Sequence, residues 1–572
     1  MISASVAEVK RWVIIHPIEA DIIVKVPATI QKLRGGYYTP EPIASFLADW
    51  AIQDSNTRIL EPSCGDGNIL DAAVETLLKL GVSKTAVSQL IQGVEIDKDE
   101  ANKVISRFAN KDICLSGQIH VGDFFNFCRE QLLLQSKFDA VVGNPPFIRY
   151  QNFQEEHRWI AFQIMEHAGL RPTRLTNAWV PFVVASTLLV KENGGRIAMV
   201  IPAELLQVNY AAELRQFLAD FYTRITLITF KKLVFESIQQ EVVLLLGERN
   251  GNEHTGIRTI ELNSIEELRH HEHPDFSLSH LKPMDHSREK WTQYFLENNE
   301  IHLLRQLRAD KRLTKAKQVI DVDVGIVTGL NEFFVLTSQQ AKDKGLTSFT
   351  QPIVTRSGHL QGIAFTYADL LANTDRQFPS RILTAPNVPV ENLPEALKHY
   401  VAYGESRDFH KGYKCRIRDK WYVVPSVWTP DAFMLRQVHH YPKLILNETK
   451  ATCTDTIHRV RFVAKLPPKS VVAAFHNSLT FAFAEVTGRS YGGGVLELEP
   501  NEAETLPLPL ENVEKLDFDL INQLVIEGNI QEALNITDKI LLIDGLGLSQ
   551  REVALLRNVW CKLRDRRINR KH

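Results

Sequence analysis

Seven short apolar runs punctuate the first 250 residues: "TRIL" (57–60), "LIQGVEI" (90–96), "QIHVGDF" (118–124), "FDAVVG" (138–143), "RIAMVIP" (196–202), "ITLITF" (225–230) and "EVVLLLG" (241–247). Helical stretches separate most of them. Continuous β-branched runs alternating with helices are the pattern of strands buried on both faces, as in a mostly parallel, doubly covered sheet. The last two runs stand too close together for a crossover helix, so they are expected to pair antiparallel at the sheet edge.

Beyond about Asn250 the texture changes. Prolines, aromatics and short strand-like pieces are spread without that alternation as far as Leu508. This predicts a separate α+β domain with a boundary near "RNGNEHTG" (249–256). Residues 509–572 read as helical and end in the basic tail "RDRRINRKH". Residues 1–34 read as a helical extension, too short for a separate nuclease domain. The expected layout is therefore an extension (1–34), an α/β domain (35–249), an α+β domain (250–508) and a helical C-terminal region (509–572).

Composition narrows the class. An apolar content of 44% with 23% charged residues is that of a folded soluble protein. No apolar run is long enough to span a bilayer, and the N-terminus lacks a signal-peptide pattern. The six cysteines are scattered, with no CxxC pair, which argues against a structural zinc and a disulfide framework and for a reducing cytoplasm. None of the 19 histidines sits in a ligand cluster, so no metal is expected. A net charge of −2 gives no global pull toward nucleic acid, so any polyanion site must come from local basic clusters.

The turn after the first expected strand reads "EPSCGDGNIL". Gly65 and Gly67 would let the backbone approach a ligand beside a helix N-terminus. A dinucleotide fingerprint wants a third glycine where Leu70 stands, which weakens a nicotinamide reading. A tight turn with no ligand accounts for the two glycines equally well. The second strand ends in "GVEID" and the third in "VGDFF". Glu95 at such a tip can accept both hydroxyls of a ribose, Asp123 can accept from an adenine amino group, and Phe124 offers a flat face. Any one of these acids alone is more often a solvated strand end. Three successive acidic strand ends, with a glycine loop at the first, favour a ligand at the carboxyl edge of the sheet.

The fourth strand ends in Asn144-Pro145-Pro146-Phe147, where two prolines can neither continue a strand nor comfortably start a helix. Alone, that is a rigid turn. Following "EPSCGDG", "GVEID" and "GDFF" in this order, it resembles the S-adenosylmethionine-dependent amino-methyltransferases, most of all the gamma class of adenine-N6 DNA methyltransferases, the TaqI-like enzymes. "GGYYTPEPIASFLADW" (35–50) is similar to the family's early cofactor motif. "NAWVPFVVASTLLVKENGGRIAMVIPAELL" (177–206) and "LVFESIQQEVVLLLG" (233–247) are similar to its later ones.

The resemblance implies a class I methyltransferase fold, with a Rossmann-like, mixed seven-stranded sheet in the α/β domain, followed by a target-recognition domain. It implies that Thr39, Glu61, Ser63 and the Gly65–Gly67 backbone surround the methionine part of S-adenosylmethionine. Glu95 would hold the ribose. Ile96, Phe124 and Phe182 would sandwich the cofactor's adenine, and Asp123 would accept from its amino group. Asn144, Pro145, Pro146 and Phe147 form the implied catalytic loop, with Phe147 in place of the commoner Tyr. Phe147 and Phe235 would flank the target base.

The chemistry suits these residue types. An adenine amino nitrogen is a poor nucleophile because its lone pair is delocalised into the ring. Two acceptors aimed at its N–H bonds, the Asn144 side-chain oxygen and the Pro145 carbonyl, would stabilise the positive charge that develops during transfer. The prolines would keep both aimed.

A base inside duplex DNA must leave the stack to reach such a pocket, and neighbouring pairs must be read. "HKGYKCRIRDKWYVV" (410–424) interleaves Lys414, Arg416, Arg418 and Lys420 with Trp421, which fits phosphate and groove contacts and fits a solvated strand of alternating charge equally well. "DVGIVTGLNEFFVL" (323–336) and "TGRSYGGGVLELEP" (487–500) resemble segments of target-recognition domains. The basic tail suits phosphate contact or a solvated helix end.

The expected partner is double-stranded DNA. A cognate restriction endonuclease is expected as a functional rather than physical partner, with no membrane and no DNA cleavage by this chain. The rivals are an amino-methyltransferase acting on RNA or a protein glutamine, and a non-catalytic DNA-binding module.

Overall fold

The computed structural model describes residues 38–570 apart from 233, 236–240, 250–253, 271–279, 288 and 492. The expected N-terminal extension lies outside the described residues.

Each of the seven apolar runs contains or overlaps a strand. They are β1 (Ile59–Glu61), β2 (Ile91–Glu95), β3 (Ile119–Val121), β4 (Ala140–Gly143), β5 (Arg196–Pro202), β6 (Arg224–Phe230) and β7 (Val242–Glu248). An eighth, β8 (Gly256–Leu262), completes the sheet, whose order is β3-β2-β1-β4-β5-β7-β6-β8. β7 runs antiparallel to both β5 and β6, and every other neighbouring pair is parallel.

The mixed sheet thus has one strand more than expected. The antiparallel pair lies inside the edge, because β8 adds to β6 in parallel. β6 and β7 are apolar runs buried almost throughout, whereas "GIRTIEL" mixes buried with partly exposed positions. A search for continuous apolar runs passes over such an edge strand. β8 also lies past the boundary expected at residue 249.

The period-two alternation of strand side chains divides the core between the two faces. Ala140 and Val142 of β4 join a cluster with the helices Glu41–Ala51, Asn68–Lys79 and Lys98–Ala109. Val141 points the other way, into a cluster with the helices Phe124–Leu133 and Trp179–Leu188. That second cluster continues without a break through Phe433 and Phe481 to Trp560, so the second half of the chain packs on one side of the first.

The second half is mixed α and β. A five-stranded sheet includes Ile320–Val324, Ala432–Leu435 and Ile457–Phe462, and a four-stranded one includes Thr350–Val354 and Arg381–Leu383. A separate apolar cluster around Phe333, Phe334, Tyr400 and Tyr422 supports the segment 410–424. That segment forms a turn and a short helix, Tyr413–Arg416, rather than a strand. The C-terminal region is helical. Its last helix, Gln550–Ile568, opens on a capping box between Ser549 and Glu552.

The end of that helix is engaged within the protein as far as residue 570. Arg566 pairs with Glu261 at 2.9 Å and lies over the Phe295 ring. Arg570 pairs with Glu241. Arg567 makes two bonds to Glu485, at 2.9 and 2.7 Å, and donates to the Gly494 carbonyl. Three arginines that read as a basic tail are thus matched to carboxylates from both halves. Among the described residues no helix is long and apolar enough to cross a membrane.

The Arg567 and Glu485 side chains are 2% and 1% exposed, so removing one strands the other's charge. Arg567→Ala is expected to lower the unfolding free energy by about 3–5 kcal/mol in urea titration, and the double change Arg567→Met with Glu485→Leu by less.

Candidate active site

The strand order reverses between β1 and β4, which opens a crevice at their carboxyl ends. The loop after β1 enters the helix Asn68–Lys79 through Gly67, at φ +81°, a left-handed conformation that a side chain would strain. A Cβ there would also stand 3.1 Å from Val104 Cγ2. Arg107 fastens the loop by donating to the Asp66 carbonyl at 3.0 Å, Asn68 Oδ1 at 3.1 Å and Asp71 at 2.6 Å.

Two carboxylates face this loop. Glu95 accepts from the Gly65 N–H at 2.8 Å through one oxygen and from the Asp97 N–H at 2.9 Å through the other. It therefore ties the end of β2 to the loop after β1. Burial raises its pKa, against the pull of those two bonds. Glu61 is 2% exposed, and among the described residues its Oε2 has no hydrogen-bond partner. Burial, with Asp66 and Glu95 nearby, holds its carboxyl well above the usual range. A buried, unpartnered carboxylate oxygen suits a cationic group, such as the amino group or sulfonium of S-adenosylmethionine.

At the end of β3, Asp123 caps the helix Phe124–Leu133. One oxygen accepts from the Asn126 N–H at 3.0 Å, and the other lies 3.0 Å from His157 Nδ1. Phe124 is stacked on Phe182, with centroids 5.1 Å apart and planes 18° apart. Two rings already in stacking contact leave no slot for a third between them. Phe182 therefore backs Phe124 within the apolar core, while Ile96 is 59% exposed at the end of β2.

The catalytic-loop candidate follows β4. A Cβ on Gly143 would meet Pro62 Cδ at 2.9 Å, so glycine here lets the loops after β1 and β4 press together. Across that contact Ser63 Oγ donates to the Asn144 carbonyl at 3.2 Å, and Asn144 Nδ2 donates to Thr39 Oγ1 at 3.2 Å. Thr39 is buried, and its carbonyl accepts from Asn68 Nδ2 at 3.3 Å. With Nδ2 engaged by Thr39, Oδ1 is the acceptor end of the Asn144 amide. Pro145 is buried; Pro146 and Phe147 are half-buried. Phe147 packs against both apolar clusters, and Phe235, 7% exposed, belongs to one of them.

Two hydrogen-bonded sets, Thr39–Asn144–Ser63 and Gly65–Glu95, thus meet on the loop after β1 at one edge of the sheet, with Glu61 on the strand before it. The DNA-contact candidates divide. Lys414 and Arg416 face solvent. Arg418 donates to the carbonyls of Val327 and Thr328 at 3.0 and 2.7 Å and lies over the Phe334 ring. Lys420 pairs with Asp419. Trp421 packs on Phe333 and donates to Glu405 at 3.2 Å. Sequence reasoning missed His157 beside Asp123, and Asn177, a polar residue just before the helix Trp179–Leu188, which is buried from Trp179 to Thr187.

Residues 21–305 match the family of N-6 DNA methylases, and residues 288–542 match the C-terminal domain of type II methyltransferase M.Eco57I. The chain is 25% identical to type II methyltransferase M.BstVI of Geobacillus stearothermophilus over 54% of its own length and 61% of the relative's. It is 24% identical to type II methyltransferase M.XamI of Xanthomonas campestris pv. amaranthicola over 84% of its length and 86% of the relative's. The fold resembles that of the type IIL restriction-modification enzyme MmeI, solved in complex with DNA. The TM-score is 0.53 at 11% identity, covering 92% of this chain and 75% of the other.

The raised Glu61 carboxyl gives a pH test. A carboxyl whose folded pKa lies above its unfolded value costs stability as pH rises through that interval, and a cation bound beside it lowers the pKa again. Binding S-adenosylmethionine at about pH 6, above the ordinary carboxyl range, is therefore expected to release protons. Calorimetry in two buffers of different ionisation enthalpy measures the release, which Glu61→Gln should reduce.

Proposed function

We propose that this chain, which belongs to the N-6 DNA methylase family, transfers a methyl group from S-adenosylmethionine to the N6 amino group of an adenine swung out of a short site in duplex DNA. The observation that carries this reading is the Asn144 amide. Its Nδ2 is held at the end of β4 by Thr39, while Ser63 holds the main-chain carbonyl of the same residue, so the amide sits oxygen end as acceptor directly before two prolines and an aromatic ring.

The Asn144 Oδ1 and the Pro145 carbonyl accept the two amino hydrogens of the target adenine and stabilise the charge that develops on its nitrogen. Neither group removes a proton outright before transfer. Phe147 stacks on the extruded base, an interaction worth about 1–3 kcal/mol, similar to the cost of unstacking it, with Phe235 as a second aromatic contact.

S-adenosylmethionine supplies the electrophilic methyl group when bound. Glu61 and the Gly65–Gly67 backbone hold its methionine end. Glu95 keeps a second lone pair on each oxygen for the ribose hydroxyls while retaining its bonds to Gly65 and Asp97. Ile96 and Phe124, backed by Phe182, hold its adenine, and Asp123 accepts from the amino group alongside His157.

The second half, with Lys414 and Arg416 exposed, contacts the DNA. In the cell such methylation protects a genome in the cytoplasm from a partner endonuclease that shares the site.

Incubation with tritiated cofactor and plasmid DNA, followed by nucleoside analysis, is expected to show label in N6-methyladenine. Label in 5-methylcytosine, or none in DNA, overturns the reading. Asn144→Ala should abolish transfer and leave cofactor affinity within a few-fold. Phe147→Ala should reduce the rise in 2-aminopurine fluorescence that reports base extrusion.

A further inference from the structure

The backbone that follows the catalytic loop is held by one polar cluster. Asn177 Oδ1 accepts from the Tyr150 N–H at 3.1 Å, and the next residue, Ala178, donates its N–H to the Ile148 carbonyl at 2.9 Å. The chain leaving Phe147 is therefore pinned at two points within four residues. Asn177 Nδ2 donates to Tyr210 Oη at 3.1 Å and to Glu204 Oε2 at 3.5 Å, and the Tyr210 hydroxyl also donates to Glu204. Burial, then the Glu204 carboxylate, pushes the Tyr210 pKa up, so the hydroxyl stays a donor.

Glu204 begins a four-residue helix that ends at Gln207. Gln207 is buried and reaches the other half of the chain. Its Nε2 donates to the Ser490 carbonyl at 2.6 Å, and its Oε1 accepts from the Ser490 N–H at 2.7 Å. A side-chain amide paired with both the N–H and the carbonyl of one residue fixes position and register, and a carboxylate in its place would lose the donor. Ser490 lies in the strand Arg489–Tyr491, which pairs with Val495–Glu497, itself paired to Gln437–Val438. Arg489 is braced by Glu502 at 3.0 Å, and Glu502 also pairs with Lys290 at 2.7 Å.

We propose that Asn177, Glu204 and Gln207 form a strut that registers the DNA-reading half of the chain against the segment leaving the catalytic loop. They are positioning residues for base capture, and the proposal rests on the reading of the Asn144 loop and of the second half given above. A duplex gripped by the second half is thereby presented at a fixed offset from Phe147. The requirement is greatest when the adenine must still be drawn from a paired duplex, because capture then depends on where the rest of the DNA is held.

The test uses the full chain and duplexes carrying the site read from methylated plasmid. In one duplex the target adenine is paired, and in the other it faces an abasic position and is already free to swing out. Gln207→Ala and Asn177→Ala are each expected to slow single-turnover methylation of the paired duplex by about tenfold or more. On the abasic-opposed duplex the loss should be under about threefold, with cofactor affinity and melting temperature close to wild type. Wild-type rates on both duplexes would overturn the strut. An equal loss on both would assign the residues a local structural role and also overturn it. A wild-type chain that transfers no methyl to either duplex would overturn the underlying reading instead.

Discussion

At the carboxyl edge of the sheet, much depends on one side-chain amide having its two ends told apart. Asn144 Nδ2 donates to Thr39 Oγ1, which leaves Oδ1 as the acceptor. That bond exists because Gly143 lets the strand end approach Pro62, bringing Ser63 onto the Asn144 carbonyl. The same loop reaches Glu95 through the Gly65 N–H, so the acceptor proposed for an amino group and the carboxylate proposed for the ribose are held by one loop. An amide free to rotate would offer its NH2 to a substrate amine as readily as its oxygen, and the stabilisation would be lost.

Much of this was legible in the sequence, for a physical reason. Strands buried on both faces announce themselves as apolar runs, and the acids and glycines at their ends must follow directly, so the whole carboxyl edge can be read in chain order. Thr39, Ser63, Glu95 and Asn144 stand together at the carboxyl edge of the sheet, which a reading in chain order also puts together. β8 was not legible, because an edge strand with partly exposed positions lacks the continuous apolar run. The stacking of Phe182 on Phe124 and the contact of His157 with Asp123 depend on how two helices pack, and no local pattern reports that.

The second half shows how much composition leaves open. Arg418 and Trp421 stand in a basic, aromatic stretch, and within the chain one holds the carbonyls of Val327 and Thr328 and the other packs on Phe333. The arginines near the C-terminus read as a basic tail, and within the chain they pair with Glu241, Glu261 and Glu485. A charge run is ambiguous because its partners lie far along the chain, from 82 to 329 residues away. Only the fold decides whether they are phosphates, water or carboxylates. Here the arginines tie the last helix to both halves, and the Gln207–Ser490 pair ties the halves to each other.

Everything proposed for this chain turns on methylation of adenine N6 in a defined DNA site by way of the Asn144 loop. Long-read sequencing of DNA from a host expressing the chain, compared with a host expressing Asn144→Ala, tests it most directly. The expected result is N6-methyladenine at every copy of one short motif with the wild-type chain and at none with the variant. Modified cytosine, or the same adenine pattern from both hosts, would contradict it.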